Sequence, residues 1–353
     1  TYYYLSVGKI LNSISNFDYN LPGELIADTP AESRDTSKLL VYKSINNVLS
    51  NHKFLDLENI LDPGDVLILN DTKVIPARMN LVKETTGAIE ILFHKKISRH
   101  TVEVIYKSSR SPIIGSFLLL SQKKIFKVTK IVNNILVLDS LMNYDVMDIF
   151  DKYGEVPLPK YIKRPYEDND KDRYQTIYAT HSGSVAGPTA GLHFTRNLLD
   201  RLLNKGIHIE YLTLHISYNT FRPIKNDNYL NHDIGSELFD IKSSVFSSIE
   251  KARSLNKRII SVGTTTTRVL EYCYSNGIES TFSGMTDLFI HPGYNFKAIN
   301  CLITNFHLPK STLLLLVSAF VGRENILNIY KYAIEKKYMF YSYGDSMLLE
   351  NKL

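Results

Sequence analysis

Cysteine is scarce in this chain of 353 residues, and tryptophan is absent. The two cysteines, Cys273 and Cys301, cannot build a disulfide framework, and their spacing matches no metal-binding motif. So few thiols are typical of a protein from a reducing compartment. We therefore expect a cytoplasmic protein whose cysteines are packing residues and which binds no metal.

Long hydrophobic runs are missing as well. The longest, Thr312–Val321, has ten residues, about half of the ~20 that a membrane-spanning helix needs. The first 15 residues contain one lysine and no sustained apolar stretch, so they do not resemble a secretory signal. These features predict a protein that does not associate with a membrane.

Three frequent ligand-binding and catalytic motifs are also absent. The sequence has no G-x-x-x-x-G-K-S/T loop, no G-x-G-x-x-G loop after a strand, and no G-x-S-x-G elbow. The formal net charge of +5 fits an anionic partner, but many proteins that bind no nucleic acid have a similar charge. Function must therefore be sought in other segments.

Two kinds of pattern divide the sequence. In residues 16–73 and 154–353, predicted strands alternate with predicted helices, which is typical of an α/β domain with a largely parallel sheet. Residues 74–153 contain short alternating strands between turn formers, the pattern of a small β-barrel or sandwich. We predict an α/β main domain with an inserted small all-β, barrel-like domain, and an extension of unknown role at residues 1–15.

Capping residues and turns locate the helices beside two candidate sites. Thr195 is a predicted N-cap for a helix over 196–204. A strand over 258–262 leads through the turn 263–267 into a helix that we expect to begin at Arg268. Both helices follow loops that are rich in small or hydroxyl side chains.

Residues 182–191, SGSVAGPTAG, have almost no bulky side chain. Such a loop lets a ligand lie against the backbone. His193 and Phe194, which follow it, could titrate near neutral pH and stack on a base. A flexible surface loop followed by a core phenylalanine explains the same residues equally well, so both interpretations stay open.

The segment IISVGTTTTR, which ends at Arg268, is the second candidate. A helix that begins after this turn would point free N–H groups and a positive dipole end at a ligand. The threonine hydroxyls and Arg268 could add hydrogen bonds to an anion. The alternative is an ordinary strand-to-helix connection with a threonine cap.

Two segments nearer the C-terminus also combine polar and apolar side chains. Residues 302–311 place Asn305 and His307 after a predicted strand, where α/β proteins tend to form ligand sites. The alternative there is a purely structural histidine. Residues 341–346 group hydroxyls around Asp345, which a tight Gly-Asp turn would also explain.

Seven longer strings occur in one order along the chain. They are FDYNLPGELIADTP from Phe17, LNDTKVIPARM from Leu69, EVPLPKYI from Glu155, YQTIYATHSGSVAGPTAGLHFT from Tyr174, VGTTTTRVLE from Val262, FIHPGYNFKAINCLITNFHLPKSTLLLLVSAF from Phe289 and FYSYGDSML from Phe340. Together they resemble the S-adenosylmethionine:tRNA ribosyltransferase-isomerase family of queuosine biosynthesis. The resemblance extends over nearly the whole chain from Asn16.

This resemblance implies an enzyme. It would transfer and isomerise the ribosyl moiety of S-adenosylmethionine onto 7-aminomethyl-7-deazaguanine at the wobble position of a tRNA, giving epoxyqueuosine with release of adenine and methionine. S-adenosylmethionine is then the cosubstrate and the tRNA is the partner, and we expect a monomer. The implied fold, an α/β domain with an inserted β-barrel, agrees with the pattern of the sequence.

Such a reaction needs a base for the carbon next to the sulfonium and an acid for the departing adenine. On the resemblance, we expect His193 and His307 to transfer protons and Asp345 to orient a group or face the sulfonium. The expected binding residues are Thr264, Thr265 and Arg268 for the methionine carboxylate, Asn305 and Asp287 for adenine or the modified base, and Ser184 and Thr189 in the small-residue loop.

The chain departs from the family pattern in three segments that we expect to lie near the ligand. Ser217-Tyr218-Asn219 replaces a Gly-x-Gly turn, Gly235 stands where the family has a histidine, and Met339 replaces an arginine. Two alternatives stay open because of these changes. One is a degenerate member that binds tRNA or S-adenosylmethionine with little turnover, and the other is a non-catalytic RNA-binding protein.

Overall fold

The computed structural model describes residues 12–159, 161–217, 224 and 226–351. The strands in these ranges are β1 Lys38–Lys43, β2 Val48–Lys53, β3 Val66–Asn70, β4 Thr72–Val74, β5 Arg78–Lys83, β6 Ala88–Lys96, β7 Thr101–Ser108, β8 Phe117–Leu120, β9 Lys123–Val132, β10 Ile135–Ser140, β11 His181–Ser184, β12 His208–Leu214, β13 Glu237–Ile241, β14 Ile259–Val262, β15 Phe282–Thr286, β16 Cys301–Asn305 and β17 Ser346–Glu350.

The α-helices in the same ranges are α1 Leu57–Ile60, α2 Val146–Tyr153, α3 Asp170–Arg173, α4 Arg196–Asn204, α5 Ser243–Ser254, α6 Thr264–Ser275, α7 Thr312–Val321 and α8 Arg323–Glu335. A short 3-10 helix, Thr189–His193, follows the small-residue loop. Of the described helices, none alone is long and apolar enough to cross a membrane. The pair α7 and α8 passes that test only when joined, across a bend of 112°.

The main sheet has nine strands in the order β15-β13-β12-β3-β14-β16-β17-β1-β2. Strands β12, β3, β14 and β16 are parallel to one another, whereas β17 runs antiparallel to β16, and β2, β13 and β15 add further antiparallel pairs. The prediction of a largely parallel sheet is therefore wrong, because the sheet is mixed. Strand β2, for example, follows β1 through a turn that is too short for a parallel crossover.

Alternating side chains of β3 show how the sheet is covered on both faces. Val66 and Ile68 belong to the apolar cluster that includes α5, α6, α7 and α8, while Leu67 and Leu69 pack with α1 and α4 on the other face. A strand that is apolar at every position is typical of a sheet buried on both sides. The fold prediction of an α/β main domain is confirmed by this arrangement.

A closed barrel of antiparallel strands, β10-β7-β6-β5-β8-β9, interrupts the main domain between β4 and β11. Its interior is filled by apolar side chains, and Val146, Ile149 and Phe150 of α2 join that core. The predicted barrel-like insertion is thus present. The sequence pattern missed β5, whose Arg78–Lys83 stretch pairs with both β6 and β8. The boundaries of the insertion at residues 74 and 153 stay a prediction.

Helix starts test the capping argument directly. Thr195 Oγ1 accepts a hydrogen bond from the backbone N–H of Leu198 at 3.2 Å, so the predicted cap and helix α4 are confirmed. Helix α6 begins at Thr264, and the expected start at Arg268 is wrong. The threonines enter the helix because the hydroxyls of Thr266 and Thr267 donate to carbonyls four residues earlier, which satisfies them inside the helix.

Candidate active site

A cavity of about 370 Å³ lies at the carboxyl ends of the parallel strands β14 and β16, where α6 and α7 begin. Its size suits a small-molecule site, and ligand sites in α/β sheets form at this edge. The lining residues are Tyr161, Gly187, Pro188, Thr189, Ala190, Ile216, Gly263, Thr264, Thr265, Thr304, Asn305, Phe306, His307, Leu308, Pro309, Lys310, Ser311, Thr312, Leu313, Tyr341 and Ser342. No acidic residue of the described chain is among them.

The first turn of α6 offers free backbone donors to this cavity. Gly263 precedes the helix with a φ of +91°, and no side chain caps the turn. The first N–H groups of a helix have no partner within it, and the positive end of the helix dipole favours an anion there. By contrast, Ser311 Oγ caps α7 by accepting from the N–H of Leu314. The predicted residues Thr264 and Thr265 both line the cavity.

Arg268 lies one turn further along α6 and is almost fully buried. Its Nη1 pairs with the Glu237 carboxylate, and its Nε donates to the backbone oxygen of Leu288 at 2.9 Å. Its Nη2 is buried without a hydrogen-bond partner among the described residues, at a small pocket that shares Thr264 and Thr265 with the cavity. Only Nη2 is therefore left to contact a ligand carboxylate.

His307 is the histidine that lines the cavity. Its Nε2 lies 3.0 Å from Thr304 Oγ1, and its backbone is held by the hydroxyls of Tyr19 and Tyr330. The ring's Nδ1 has no hydrogen-bond partner among the described residues. Burial lowers the pKa of His307 to about 3, so the imidazole is neutral near pH 7 and Nδ1 or Nε2 carries a lone pair.

Asn305 lines the cavity at the end of β16 and is held from two sides. Thr189 Oγ1 donates to its Oδ1 at 3.1 Å, and its Nδ2 donates to His193 Nε2 at 3.1 Å. His193 Nδ1 lies 2.8 Å from Ser37 Oγ. An imidazole whose Nε2 accepts carries its proton on Nδ1, so this chain of contacts fixes the direction of the Asn305 amide.

The structure does not bring His193 to the cavity wall, although the sequence predicted that it transfers protons. Its ring stacks on Phe54, with centroids 5.0 Å apart, and it is buried behind Asn305. Burial, with a smaller contribution from the Arg34 charge, lowers the pKa of His193 to about 4. In this geometry His193 contacts the cavity-lining residue Asn305 but does not itself line the cavity.

Three more predicted residues do not line the cavity. The Asp345 carboxylate accepts the backbone N–H groups of Lys38 at 2.7 Å and Met339 at 2.8 Å, and burial raises its pKa. Both carboxylate oxygens of Asp345 therefore accept backbone hydrogen bonds, and one of these bonds links the C-terminal loop to β1. Ser184 is buried and donates to a backbone carbonyl two residues on. Asp287 is exposed at the surface.

Two aromatic side chains in the wall were not among the predicted site residues. Tyr161 and Tyr341 contact each other with ring centroids 4.6 Å apart, and the Tyr161 hydroxyl donates to Ser342 Oγ. Tyr341 has a φ of +73°, an unusual conformation for a bulky residue. The cluster of hydroxyls at 341–346 was the available signal, but it pointed to Asp345 instead of Tyr341 and Ser342.

The departures from the family pattern fall at different distances from the cavity. The backbone N–H of Ser217 donates to the carboxylate that pairs with Arg268, while Tyr218 and Asn219 lie outside the described residues. Gly235 has a φ of +73°, which suits glycine. Met339 packs half-buried and does not line the cavity.

Fold and site together define an α/β protein of enzyme type, with an inserted barrel and a cavity at the strand ends of its main sheet. The described ranges contain no cluster of side chains suited to a metal ion. The family model described as "Queuosine biosynthesis protein" matches residues 14–349. The chain is 44% identical over 344 residues to the S-adenosylmethionine:tRNA ribosyltransferase-isomerase of Carboxydothermus hydrogenoformans, covering 95% of this chain and 99% of that protein.

A solved structure supports the same assignment. The S-adenosylmethionine tRNA ribosyltransferase of Thermotoga maritima superposes with a TM-score of 0.54 at 30% identity, over 95% of this chain and 100% of that one. The chain therefore belongs to the queuosine biosynthesis protein family. The resemblance inferred from the seven strings is confirmed.

Proposed function

We propose that this protein transfers and isomerises the ribosyl moiety of S-adenosylmethionine onto 7-aminomethyl-7-deazaguanine in the wobble position of a tRNA. The products are epoxyqueuosine in the tRNA, adenine and methionine. The observation that carries the proposal is that a single cavity collects His307, Asn305, Thr264 and Thr265 at the strand ends. S-adenosylmethionine is the cosubstrate, and we propose a monomer that works in the cytoplasm.

The methionine carboxylate fits the start of α6. The uncapped N–H groups of its first turn form a site for an anion, and the buried Nη2 of Arg268 supplies a positive donor that lacks a partner in the described structure. A buried guanidinium nitrogen without a partner is costly in free energy. A carboxylate at this position would satisfy it, which agrees with the predicted roles of Thr264, Thr265 and Arg268.

The planar parts of the ligands fit the aromatic part of the cavity wall. Tyr161 and Tyr341 present aromatic surface on which a purine or deazapurine can stack. Asn305 offers an amide whose direction is fixed by Thr189 and His193. A fixed amide can discriminate between bases by hydrogen bonding, because a mismatched edge leaves buried polar groups unpaired.

The proposed role of His307 is to accept the proton from the carbon next to the sulfonium. For Nδ1 to accept it, Nε2 must carry a hydrogen and donate to Thr304 Oγ1, which their 3.0 Å contact allows. The proton moves from carbon to nitrogen, so the total charge within the cavity is unchanged. Apolar residues such as Phe306, Pro309 and Leu313 form part of the cavity wall, and a ligand bound against this wall would be shielded from water.

Adenine release tests the proposal in one assay. The protein is incubated with S-adenosylmethionine and a tRNA that carries the aminomethyl-deazaguanine, and adenine and the modified nucleoside are quantified by chromatography with mass detection. We expect stoichiometric adenine and epoxyqueuosine. Adenine at a very low rate would indicate a degenerate enzyme. tRNA binding without any adenine would indicate a non-catalytic RNA-binding protein and contradict the proposal.

A further inference from the structure

Positive charge is concentrated in the barrel. The segment from Arg78 to Ser140 contains 11 lysines and arginines but 4 aspartates and glutamates, a net charge of +7, whereas the whole chain has +5. The balance of −2 is carried by Asp145, Asp148, Asp151 and Lys152 at α2, so the main domain is formally neutral. A basic module on an otherwise neutral protein is the electrostatic pattern of a nucleic-acid-binding surface.

Strand β9 holds the densest part of this charge. Lys123, Lys124, Lys127 and Lys130 are all exposed on one ten-residue strand. In a regular strand, residues three apart point to opposite faces. Lys124, Lys127 and Lys130 are three apart, so a regular strand could not expose all of them. The buried residues between them, Ile125, Phe126 and Val128, would likewise not all face the core.

Two irregularities in the pairing of β9 resolve this conflict. The register shifts between Phe126 and Lys124 against β8, and again between Val128 and Lys130 against β10. Each shift inserts an extra residue, as a β-bulge does, and reverses the alternation. The lysines thus stay on the outside along a row that is roughly 20 Å long at ~3.3 Å per residue.

Most of these ammonium groups have no acidic partner within the described part of the chain. Lys124 pairs with Glu84 at 2.6 Å and lies over the Phe117 ring. No ion pair within the described residues includes Lys123, Lys127 or Lys130. Asp139 is opposite Lys127 in the ladder, but its carboxylate accepts the Thr101 hydroxyl. Three cations in a row that are unpaired in the described structure suit a continuous polyanion better than a single small anion.

The barrel packs against the small-residue loop, residues 182–191, which continues into the cavity wall. Ile75 and Ala77, in the segment that leads from β4 into the barrel, form an apolar cluster with Val185 of the small-residue loop. Phe93 and Met147 pack on that cluster. The same loop continues into Gly187, Pro188 and Thr189 of the cavity. An RNA bound to the barrel would therefore be linked, through this packing, to the small-residue loop that forms part of the cavity wall.

We propose that the outer face of β9 is a docking surface for the phosphate backbone of the substrate tRNA, outside the wobble nucleotide that enters the cavity. This inference rests on the proposed function. Lysines that contact the phosphate backbone of an RNA recognise its shape and charge, not its base sequence. The surface therefore contributes affinity for the tRNA as a whole and leaves the choice of base to the cavity.

The test compares two triple variants with the same loss of charge. The first is Lys123→Gln, Lys127→Gln and Lys130→Gln, and the matched control is Lys242→Gln, Lys251→Gln and Lys331→Gln, whose lysines are exposed on the main domain. Binding of unmodified tRNA is titrated by fluorescence anisotropy over a range of salt concentrations. Thermal unfolding of each variant is measured to check that the barrel remains folded.

We expect the β9 variant to bind tRNA about tenfold more weakly at 0.1 M salt, with a slope of log K against log salt that is smaller by about 2. The control should stay near wild type, and the corresponding Lys→Arg triple should restore binding. Unchanged binding in the β9 variant, or an equal loss in the control, would overturn the inference. Because this titration uses unmodified tRNA and no cosubstrate, it is independent of whether adenine is released.

Discussion

At the scale of single residues, His307 is the side chain best placed to exchange a proton in the cavity. We expect His307→Gln to lower kcat for adenine release by about 100-fold or more, the usual size of a general-base contribution, because the amide keeps a hydrogen bond to Thr304 but accepts no proton at neutral pH. Steady-state adenine release measures this. His208→Gln, at an exposed histidine, serves as the control, and wild-type kcat in His307→Gln would rule out the role.

His193 provides a second prediction, because it supports Asn305 without reaching the cavity. Replacement by phenylalanine removes the acceptor of Asn305 Nδ2, and we expect KM for S-adenosylmethionine to rise about tenfold, the cost of one unpaired buried donor. His193→Gln should recover most of the loss, since its side-chain oxygen can accept from the same amide. Equal kinetics for both variants and the wild type would show that the amide direction does not matter.

At the scale of elements, the small-residue loop and the helix after it depend on close packing. A Cβ at Gly191 would lie 2.1 Å from Tyr178 Oη and 2.8 Å from Thr176 Cγ2. Overpacking of this kind costs about 1–3 kcal/mol, so we expect Gly191→Ala to lower the free energy of unfolding by about 2 kcal/mol in urea titrations. Gly23→Ala is the matched control, because nothing lies within 4 Å of its added Cβ. Similar stabilities for the two variants would contradict the packing argument.

The same loop shows what local sequence reveals about an element. Its lack of bulky side chains predicted close approach of a neighbour to the backbone, and Gly187, Pro188 and Thr189 do wall the cavity. The neighbour at Gly191 is Tyr178, however, which belongs to the protein itself. A run of small residues indicates tight packing against something, and only the fold shows whether that is a ligand or a side chain.

At the scale of the whole molecule, two buried neutral histidines make stability depend on pH. The pKa values of His193 and His307 are lowered to about 4 and 3 by burial, against about 6.5 in an unfolded chain. Between these values the unfolded state binds more protons, so stability is fully present above about pH 6.5 and falls as the pH drops. The shift at His193 alone corresponds to roughly 3 kcal/mol.

Urea unfolding at pH 7.5, 6 and 5 measures this dependence. We expect the free energy of unfolding to decrease steadily over the series, and His193→Gln to show a shallower decrease because one titrating group is removed. A stability that is constant from pH 7.5 to 5 in the wild type would mean that neither histidine is held neutral by the fold.

Sequence patterns were enough to predict the family, the α/β domain with its inserted barrel, and the elements that meet at the cavity. Those features depend on local signals: Thr195 as a cap, alternation in the barrel strands, and ordered strings that include the Gly-Thr turn. Even so, the helix after that turn begins four residues earlier than expected, because Thr266 and Thr267 find acceptors within the helix.

Which polar residue lines the cavity could not be predicted from the sequence, because it depends on long-range packing. His193 and His307 look alike in sequence, yet one is stacked behind Asn305 and the other lines the cavity. Arg268 is engaged by Glu237, and Asp345 by the backbone of β1, from distant parts of the chain. The direction and burial of a side chain are set by long-range packing, which no local pattern of residues records.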